Sequence, residues 1–200
     1  MWYKAVSWLL PIVFLIQPVG ADAPDMSPVV AQDADFPAPH RIDPQAYTVR
    51  SAQDISRLSE LGDGILVLHF WQSNCAPCLV ELPELAAFMD SDGYAALEDR
   101  DMRILAISHD VDVGTARRFL VRYAPRLLPA RIEPRWTLAK ALFGRGGQLP
   151  PMPVSFAIDI ASGAVLVEKI GPMDWNGEEF ENFRNAATNI RTRIHAEDSR

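Results

Sequence analysis

Continuous apolar runs alternate with amphipathic segments along the middle of the chain. Residues 65–71 (ILVLHFW) and 102–108 (MRILAIS) are short apolar runs, which are typical of strands covered on both faces. Residues 76–90 and 113–123 instead carry apolar side chains at helical spacing, and Asp112 is a suitable cap for the second of these helices. This alternation of strand and helix predicts parallel strands at the centre of a sheet.

Weaker patterns flank this centre. Apolar positions recur every three residues over 51–61, which predicts a helix, and another short helix is expected over 134–143. Residues 154–159 and 164–170 are apolar runs joined by a turn, the pattern of a β-hairpin. A final amphipathic helix is expected from about 176 to 193. The predicted fold is therefore α/β, with three α/β/α layers and a mixed central sheet.

The N-terminal region has the pattern of an export signal. Lys4 is the only charge in the first 21 residues, and the apolar run 5–16 is shorter than the roughly 20 residues that span a bilayer. A site of small residues ends at Ala23, so we expect a signal peptide over residues 1–23, with a retained membrane anchor as the alternative. The prediction is a periplasmic or otherwise exported protein.

Composition divides the remainder of the chain. Residues 24–44 are rich in proline and lack apolar periodicity, which predicts a mobile linker. A domain over residues 45–195 and a short tail over residues 196–200 are expected to follow. The net charge of −7 argues against a surface that binds nucleic acid.

The only two cysteines, Cys75 and Cys78, are the strongest chemical signal. A strand ends near Trp71 and a helix begins at about Ala76, so Cys75 stands at a helix N-terminus, which stabilises a thiolate. Thiolate is the attacking species in disulfide exchange, and Cys78 lies close enough to resolve a mixed disulfide. A structural disulfide across so short a loop would stabilise little, and the histidines show no spacing for a zinc site. Redox chemistry is favoured over a chance pair of inert cysteines.

The segment 66–85 resembles the TlpA/ResA-like branch of the thioredoxin superfamily. The residues that carry the resemblance are Phe70-Trp71, Cys75-Ala76-Pro77-Cys78, Glu81 and Pro83. Residues 150–159 (PPMPVSFAID) are similar to the cis-proline strand of the same family. The resemblance implies a thioredoxin-like thiol–disulfide oxidoreductase with a Cys75–Cys78 disulfide, no cofactor, protein substrates and an electron-donor protein in the membrane.

The resemblance also implies roles for single residues. Pro153 would be the cis-proline facing the cysteines, with Pro151 as the alternative by spacing, and Met152 would bind substrate through its backbone. Trp71 would belong to the same substrate-binding surface. Glu81, one helical turn beyond the second cysteine, would transfer protons there, and a solvated helix charge is its alternative.

Two residues depart from the family pattern. His69 lies on an apolar strand, at the position where family members carry Asp or Asn. One hypothesis makes His69 the proton relay for Cys78, and the other makes it a neutral core histidine with one satisfied hydrogen bond. Asn74 stands where many members carry Trp, so the substrate range does not carry over. Residues 144–150 lack the glutamate of the cytochrome-maturation subgroup, and we do not assign that subgroup.

Cu(I) handling is the alternative function. Two thiolates suit Cu(I), the Met152 thioether would be a third soft ligand, and His69 would join if the strand end reaches. An apolar contact in a substrate groove is the other interpretation of Met152. The residues leave the direction of electron flow open, and a reductase is favoured by the resemblance alone.

Overall fold

The computed structural model describes residues 40–98, 101–133 and 135–199. The expected signal peptide and residues 24–39 of the expected linker lie outside these ranges. Residues 40–44, the remainder of that linker, pair with the turn of a later hairpin. The N–H of Ile42 donates to the carbonyl of Gly163 at 2.9 Å, and the N–H of Val165 donates to that of His40 at 3.0 Å. The fold therefore begins before residue 45.

In the described ranges, seven strands form one mixed sheet in the order β2-β1-β5-β4-β3-β6-β7. They are β1 (Thr48–Arg50), β2 (Ile55–Arg57), β3 (Ile65–Trp71), β4 (Met102–Ser108), β5 (Arg131–Ile132), β6 (Val154–Asp159) and β7 (Val165–Ile170). Strands β3, β4 and β5 run parallel, whereas β6 and β7 are antiparallel. The predicted mixed sheet with a closing hairpin is confirmed.

Among the residues that the structure describes, five helices cover the two faces of the sheet. They are α1 (Ala76–Met89), α2 (Asp92–Glu98), α3 (Val113–Tyr123), α4 (Thr137–Phe143) and α5 (Glu178–Asp198). Helices α1, α2, α3 and α5 bury their apolar side chains in one core, and α4 packs in the other. The three-layer architecture is confirmed. Within the described ranges no helix combines the length and the apolar character needed to cross a membrane.

Strand β3 lies at the centre because all seven of its side chains are buried. Ile65, Val67 and Trp71 point to the core under α1, and the alternate residues point to the core under α4. His69 shares the α1 face with its apolar neighbours, and it is the only polar side chain of the strand. The pleat of the strand therefore delivers one imidazole to the interface between the sheet and α1.

The helix predicted over 51–61 is wrong. The hydroxyl of Ser51 accepts the N–H groups of Gln53 and Asp54, both at 3.1 Å, and closes a turn between β1 and β2. Such local side-chain bonds compete with helix formation. Ile55 projects into solvent from β2, while Leu58 begins a short 3₁₀ turn, so the three-residue spacing has no helical cause.

Several boundaries also differ from expectation. Helix α4 begins at Thr137 rather than at 134, because Trp136 precedes it in the left-handed conformation, with φ of 60°. Helix α5 continues through residues 196–198, which were expected to be a tail. Helix α2 and strand β5 have no counterpart in the pattern, since both are short. Helix α3 begins as predicted, with the carboxylate of Asp112 accepting the N–H of Thr115 at 2.9 Å.

A buried carboxylate joins α5 to the β6–β7 turn. Asp159 is fully buried and accepts hydrogen bonds from Arg191 at 3.0 Å, from the Ser162 amide at 3.0 Å and from the Ser162 hydroxyl at 2.5 Å. His195 lies 3.1 Å from the same carboxylate. Burial alone would raise the pKa of Asp159, but the bonds from Ser162 and Arg191 outweigh it and hold that pKa below its ordinary value.

We therefore expect Asp159→Asn to lower the free energy of unfolding at neutral pH by about 2 kcal/mol. The difference in free energy of unfolding between the variant and the wild type should shrink as the pH falls below the ordinary Asp range. The wild-type carboxylate then becomes protonated and no longer stabilises the fold as an anion. Urea unfolding between pH 3 and pH 7 measures both effects. Asp198→Asn, which removes an exposed charge from α5, the helix that contacts Asp159, is the matched control. Equal losses in the two variants would contradict the prediction.

Candidate active site

The cysteine pair forms a disulfide at the point where α1 begins. Cys75 is the N-cap residue, and its sulfur accepts the N–H of Cys78 at 3.3 Å. The carbonyl of Cys75 accepts the N–H of Leu79 at 3.1 Å. Cys75 is half-buried, whereas Cys78 is fully buried. The geometry thus gives the two sulfurs different environments, one facing solvent and one inside the core.

The first turn of α1 explains why the helix starts there. Pro77 lies in that turn, where its missing N–H costs no helical hydrogen bond and its fixed φ suits a helix. Cys75 itself is extended, with φ of −93° and ψ of 103°, as N-cap residues usually are. The free N–H groups of the first turn and the helix dipole favour negative charge on the Cys75 sulfur once the disulfide is reduced.

Asp110 holds the loop that leads into the cysteine pair, and the sequence analysis missed it. One oxygen of its buried carboxylate accepts the Ser73 hydroxyl at 2.7 Å and the Ser73 amide at 3.2 Å. The other oxygen accepts the hydroxyl of Ser108, at the end of β4, at 2.8 Å. The end of β4 and the loop before the pair are therefore fixed to each other.

Glu81 lies inside the protein, only 2% exposed, so its interpretation as a solvated helix charge is wrong. Its Oε1 accepts the backbone N–H of Met173 and the indole N–H of Trp175, both at 2.9 Å. Burial raises the pKa of Glu81 to about 7 in spite of these two donors. Glu81 follows Cys78 by three residues on α1, which places the two side chains on one face of the helix.

His69 is the partner of Glu81 across the interface between the sheet and α1. It is fully buried; its Nδ1 lies 3.0 Å from the hydroxyl of Ser155, and its Nε2 lies 3.7 Å from Oε2 of Glu81. In the described part of the chain neither Nε2 nor Oε2 has a hydrogen-bond partner of its own.

Burial lowers the pKa of His69 to about 3, so the ring is neutral while Glu81 keeps its proton up to about pH 7. Because Oε1 of Glu81 already accepts two donors, the proton belongs on Oε2, facing the free lone pair of His69 Nε2. The two atoms face each other at 3.7 Å without forming a hydrogen bond.

The proline segment, residues 150–153, directly precedes β6. The Met152–Pro153 bond is cis, as is Leu128–Pro129, and these are the cis bonds of the described ranges. Pro153 is buried, and Met152 is half-buried and packs against both cores.

Trp71 does not belong to a substrate-binding surface. It is 1% exposed and packs in the same core as Cys78, with its ring 5.4 Å from that of Phe119. The strand pleat turns its side chain inward, because Trp71 occupies the same face of β3 as Val67. That prediction was wrong, and Trp71 supports the cysteine pair from within the core.

A second buried histidine and glutamate lie on the opposite face of the sheet. The ring of His109 is stacked between Phe70 and Trp136, with centroid distances of 5.1 and 3.7 Å, and its Nδ1 is 3.9 Å from Glu133. Burial lowers the pKa of His109 to about 4. Since Phe70 and Trp136 belong to the core under α4, this pair does not join the cysteines.

Metal-ligating side chains are sparse around the pair. Over the described ranges, no three or more His, Cys, Asp or Glu side chains come together as a metal site would require. His69 directs one nitrogen at Ser155 and the other at Glu81. The copper hypothesis needs a His69 nitrogen as a ligand, but Nδ1 faces Ser155 and Nε2 faces Glu81.

The described domain has the thioredoxin fold. No protein-family model matches the chain, and no curated protein matches it. Solved structures with the same fold include a protein from Chlorobium tepidum described as a thiol:disulfide interchange protein DsbE. It is 23% identical, with a TM-score of 0.56, over 76% of this chain and 99% of that one.

Two further structures have the same fold. A thiol:disulfide interchange protein of the thioredoxin family from Chlorobium tepidum TLS is 17% identical, with a TM-score of 0.54, over 78% of this chain and 99% of its own. MTB DsbF is 14% identical, with a TM-score of 0.53, over 76% and 99%. What these proteins share with the chain at such identities is the fold, and the predicted thioredoxin-like fold is confirmed.

Proposed function

We propose that this protein is an exported thiol–disulfide oxidoreductase that reduces disulfides in protein substrates. Cys75 is the attacking thiolate, and Cys78 resolves the mixed disulfide. Protein substrates and a membrane protein as electron donor are the partners that the family resemblance supports. Export rests on the pattern of residues 1–23.

The single observation that carries this proposal is the asymmetry of the disulfide. Cys75 is accessible and stands where the first turn of α1 stabilises an anion, whereas Cys78 is fully buried. An exchange enzyme needs this difference, because the outer sulfur must meet substrate and the inner sulfur must react only within the mixed disulfide.

The surface around Cys75 supports a protein substrate. Asn74, Ala76 and Pro77 are exposed beside it, and Val80 on the next turn is 70% exposed. These side chains are small and uncharged, so an extended substrate chain can approach Cys75 without electrostatic repulsion. The backbone of Met152 is proposed to pair with the substrate strand, with the cis-proline Pro153 facing the cysteines.

Glu81 and His69 are proposed to handle the proton of Cys78. A group whose pKa is near 7 serves as an acid or a base at neutral pH, and burial gives Glu81 that property. In its ionised form Glu81 would accept the thiol proton, and His69, whose Nε2 faces it at 3.7 Å, would be its neighbour in that step.

Alkylation kinetics test the reactivity of Cys75. We expect the reduced protein to react with iodoacetamide at Cys75 with a pKa well below the ~8.5 of a free thiol, within the ~3.5–7.5 range of helix N-termini. Mass spectrometry identifies the modified residue, and Cys75→Ser shows the background from the buried Cys78. Reactivity no greater than that of a cysteine peptide near neutral pH would overturn the proposed enzyme.

Equilibration with glutathione tests the direction of electron flow. A midpoint potential near the ~−270 mV of thioredoxin supports a reductase, whereas a value near the ~−120 mV of DsbA makes the protein a disulfide donor. The thioredoxin fold is compatible with either value. The second result would overturn the reductase assignment and leave the exchange chemistry intact.

A further inference from the structure

A small cavity lies beside the start of α3. Its volume is about 280 Å³, slightly below the ~300 Å³ at which pockets begin to hold whole small molecules. The lining comes from α3, from the segment before β5 and from the turn at residues 52–53 between β1 and β2. The apolar part of this lining is Val113, Leu128, Pro129 and Ala130. A cavity of this size and lining suits one apolar side chain of a larger ligand.

The loop that precedes α3 connects this cavity to the segment that carries the cysteines. Asp110 of this loop binds Ser73, which lies two residues before Cys75. Val111 follows and is 87% exposed, and Val113 is the first residue of α3 and lines the cavity. Within four residues the chain therefore runs from the cysteine loop, past an exposed apolar side chain, to the cavity.

Exposed arginines of α3 accompany the cavity. Arg117 lines the cavity, and Arg118 and Arg122 are exposed on the same helix. The ion pairs formed among the described residues include none of these three. Arg118 donates instead to the hydroxyl of Thr115 at 2.9 Å, and the guanidinium of Arg122 lies over the ring of Tyr123 at 5.1 Å. The three guanidinium groups are therefore available to carboxylates of a partner.

The charge of this part of the chain is opposite to that of the whole protein. Residues 113–145 contain eight basic residues and one acidic residue, Glu133, whereas the whole chain has a net charge of −7. Glu133 is buried, so the exposed charges of this part are all basic. Asp112 borders it, but the carboxylate of Asp112 already accepts the N–H and the hydroxyl of Thr115. A basic surface on an acidic protein favours an acidic partner and speeds its approach.

The residue types of this surface favour a protein partner over a lipid surface. Seven of the eight basic residues are arginines, and Val121 and Tyr123 are exposed beside them on α3. Arginine and tyrosine are enriched at protein interfaces, whereas lysine is depleted there. A planar guanidinium also matches a carboxylate with two parallel N–H donors. In the proposed reaction, the protein that must lie against Cys75 is the disulfide substrate.

We propose that the cavity beside α3 and the arginines Arg117, Arg118 and Arg122 form a docking site for the disulfide substrate. The site takes an apolar side chain that has acidic residues as neighbours. This proposal rests on the proposed exchange function and deepens it, because it names the class of substrate. The apolar side chain enters the cavity, the acidic residues meet the arginines, and the substrate disulfide lies at Cys75.

Single-turnover reduction of matched peptides tests this docking site. The probes are synthetic peptides with one intramolecular disulfide and a flexible extension that carries one leucine and either two glutamates or two lysines. At about 0.01 M salt, where charges act over roughly 30 Å, the reduced protein should reduce the glutamate peptide about ten-fold faster than the lysine peptide. The preference should vanish near about 1 M salt, where that distance falls to about 3 Å. Replacing the leucine by serine should also slow reduction of the glutamate peptide.

Two variants and one control assign the preference to the docking site. Arg117→Glu should remove the preference for glutamate. Ala52→Leu, which fills the cavity from the turn between β1 and β2, should remove the effect of the leucine. Arg193→Glu makes the same charge change at an exposed position of α5 and should keep both preferences. Equal rates for the two peptides with the wild-type protein, or a wild-type preference in Arg117→Glu, would overturn the docking site.

A binding measurement separates failure of the docking site from failure of the proposed function. The glutamate peptide with serines in place of its cysteines is titrated into the oxidised protein and followed by NMR. It should shift the amide signals of Val113, Arg117 and Ala130, and Arg117→Glu should weaken its binding about ten-fold. Binding without any exchange activity would support the docking site and overturn the proposed function alone. Exchange activity without these shifts would overturn the docking site alone. Sedimentation with phosphatidylglycerol vesicles that Arg117→Glu abolishes, in the absence of peptide binding, would assign this surface to a membrane and overturn the substrate site.

Discussion

Cys78→Ser should turn the protein into a trap that stays covalently attached to its substrates. The variant keeps the accessible thiolate of Cys75 at the start of α1, so attack on a substrate disulfide still occurs. The buried sulfur that would displace the substrate is absent, and the mixed disulfide persists. Turnover should fall by at least about a thousand-fold, as expected when a nucleophile is removed.

Non-reducing mass spectrometry after incubation with insulin measures the trap. Cys75→Ser is the matched control, because it also keeps one thiol of the pair, but the remaining thiol is the buried Cys78. It should form no adduct and show the same loss of turnover. Equal adduct formation by the two single variants would contradict the assignment of roles, because the two sulfurs would then be equally able to meet substrate.

The centre of the fold could be predicted because its signals are local. The six apolar residues of β3 and the helical spacing after Cys75 each identify their element without distant partners. The segment 51–61 failed for the opposite reason. Its apolar spacing fits a helix, but pairing of Val49 with Ser56 and the turn at Ser51 produce a hairpin. Three apolar positions are too few to separate these outcomes.

The candidate site also contains some residues that the sequence could reveal and others that it could not. The cysteines and Glu81 follow one another on a single helix, and their spacing alone places them together. Spacing does not reveal the residues that contact the buried Glu81 and His69. Ser155 meets His69 from 86 residues away, and Trp175 meets Glu81 from 94 residues away. Trp175 lies in a loop without periodicity, so no local pattern marks it, whereas His69 was visible as one polar residue in an apolar strand.

Glu81→Gln should remove a loss of stability that the wild-type protein suffers as the pH rises toward 7. The pKa of Glu81 is raised from 4.5 to about 7 in the folded state. The folded protein therefore binds more protons than the unfolded chain between these values, and its free energy of unfolding falls over that range by up to about 3 kcal/mol. Glutamine keeps an oxygen for Met173 and Trp175, and it offers His69 a permanent N–H in place of the titrating proton.

The pKa shift of His69 has the opposite sign to that of Glu81, so the two contributions to stability can be told apart. Its pKa falls from 6.5 to about 3 on folding, so the folded protein binds fewer protons over that range and loses stability as the pH falls. The two effects oppose each other in the wild type between about pH 4.5 and pH 6.5. Without Glu81, the stability of the oxidised protein should rise steadily with pH up to about 6.5 and then stay level.

Urea unfolding of the oxidised protein from pH 4.5 to pH 8 measures this curve, and Glu84→Gln is its control. Glu84 is an exposed acid one turn further along α1. Its charge only adds to the burial that mainly raises the pKa of Glu81, so its removal should leave most of that shift in place. It should keep the wild-type curve, whereas Glu81→Gln should become the more stable protein above pH 7. If both variants followed the wild-type curve, Glu81 would not hold its proton in the folded state. The wild-type protein would then lack the internal acid that the resolving cysteine is proposed to use.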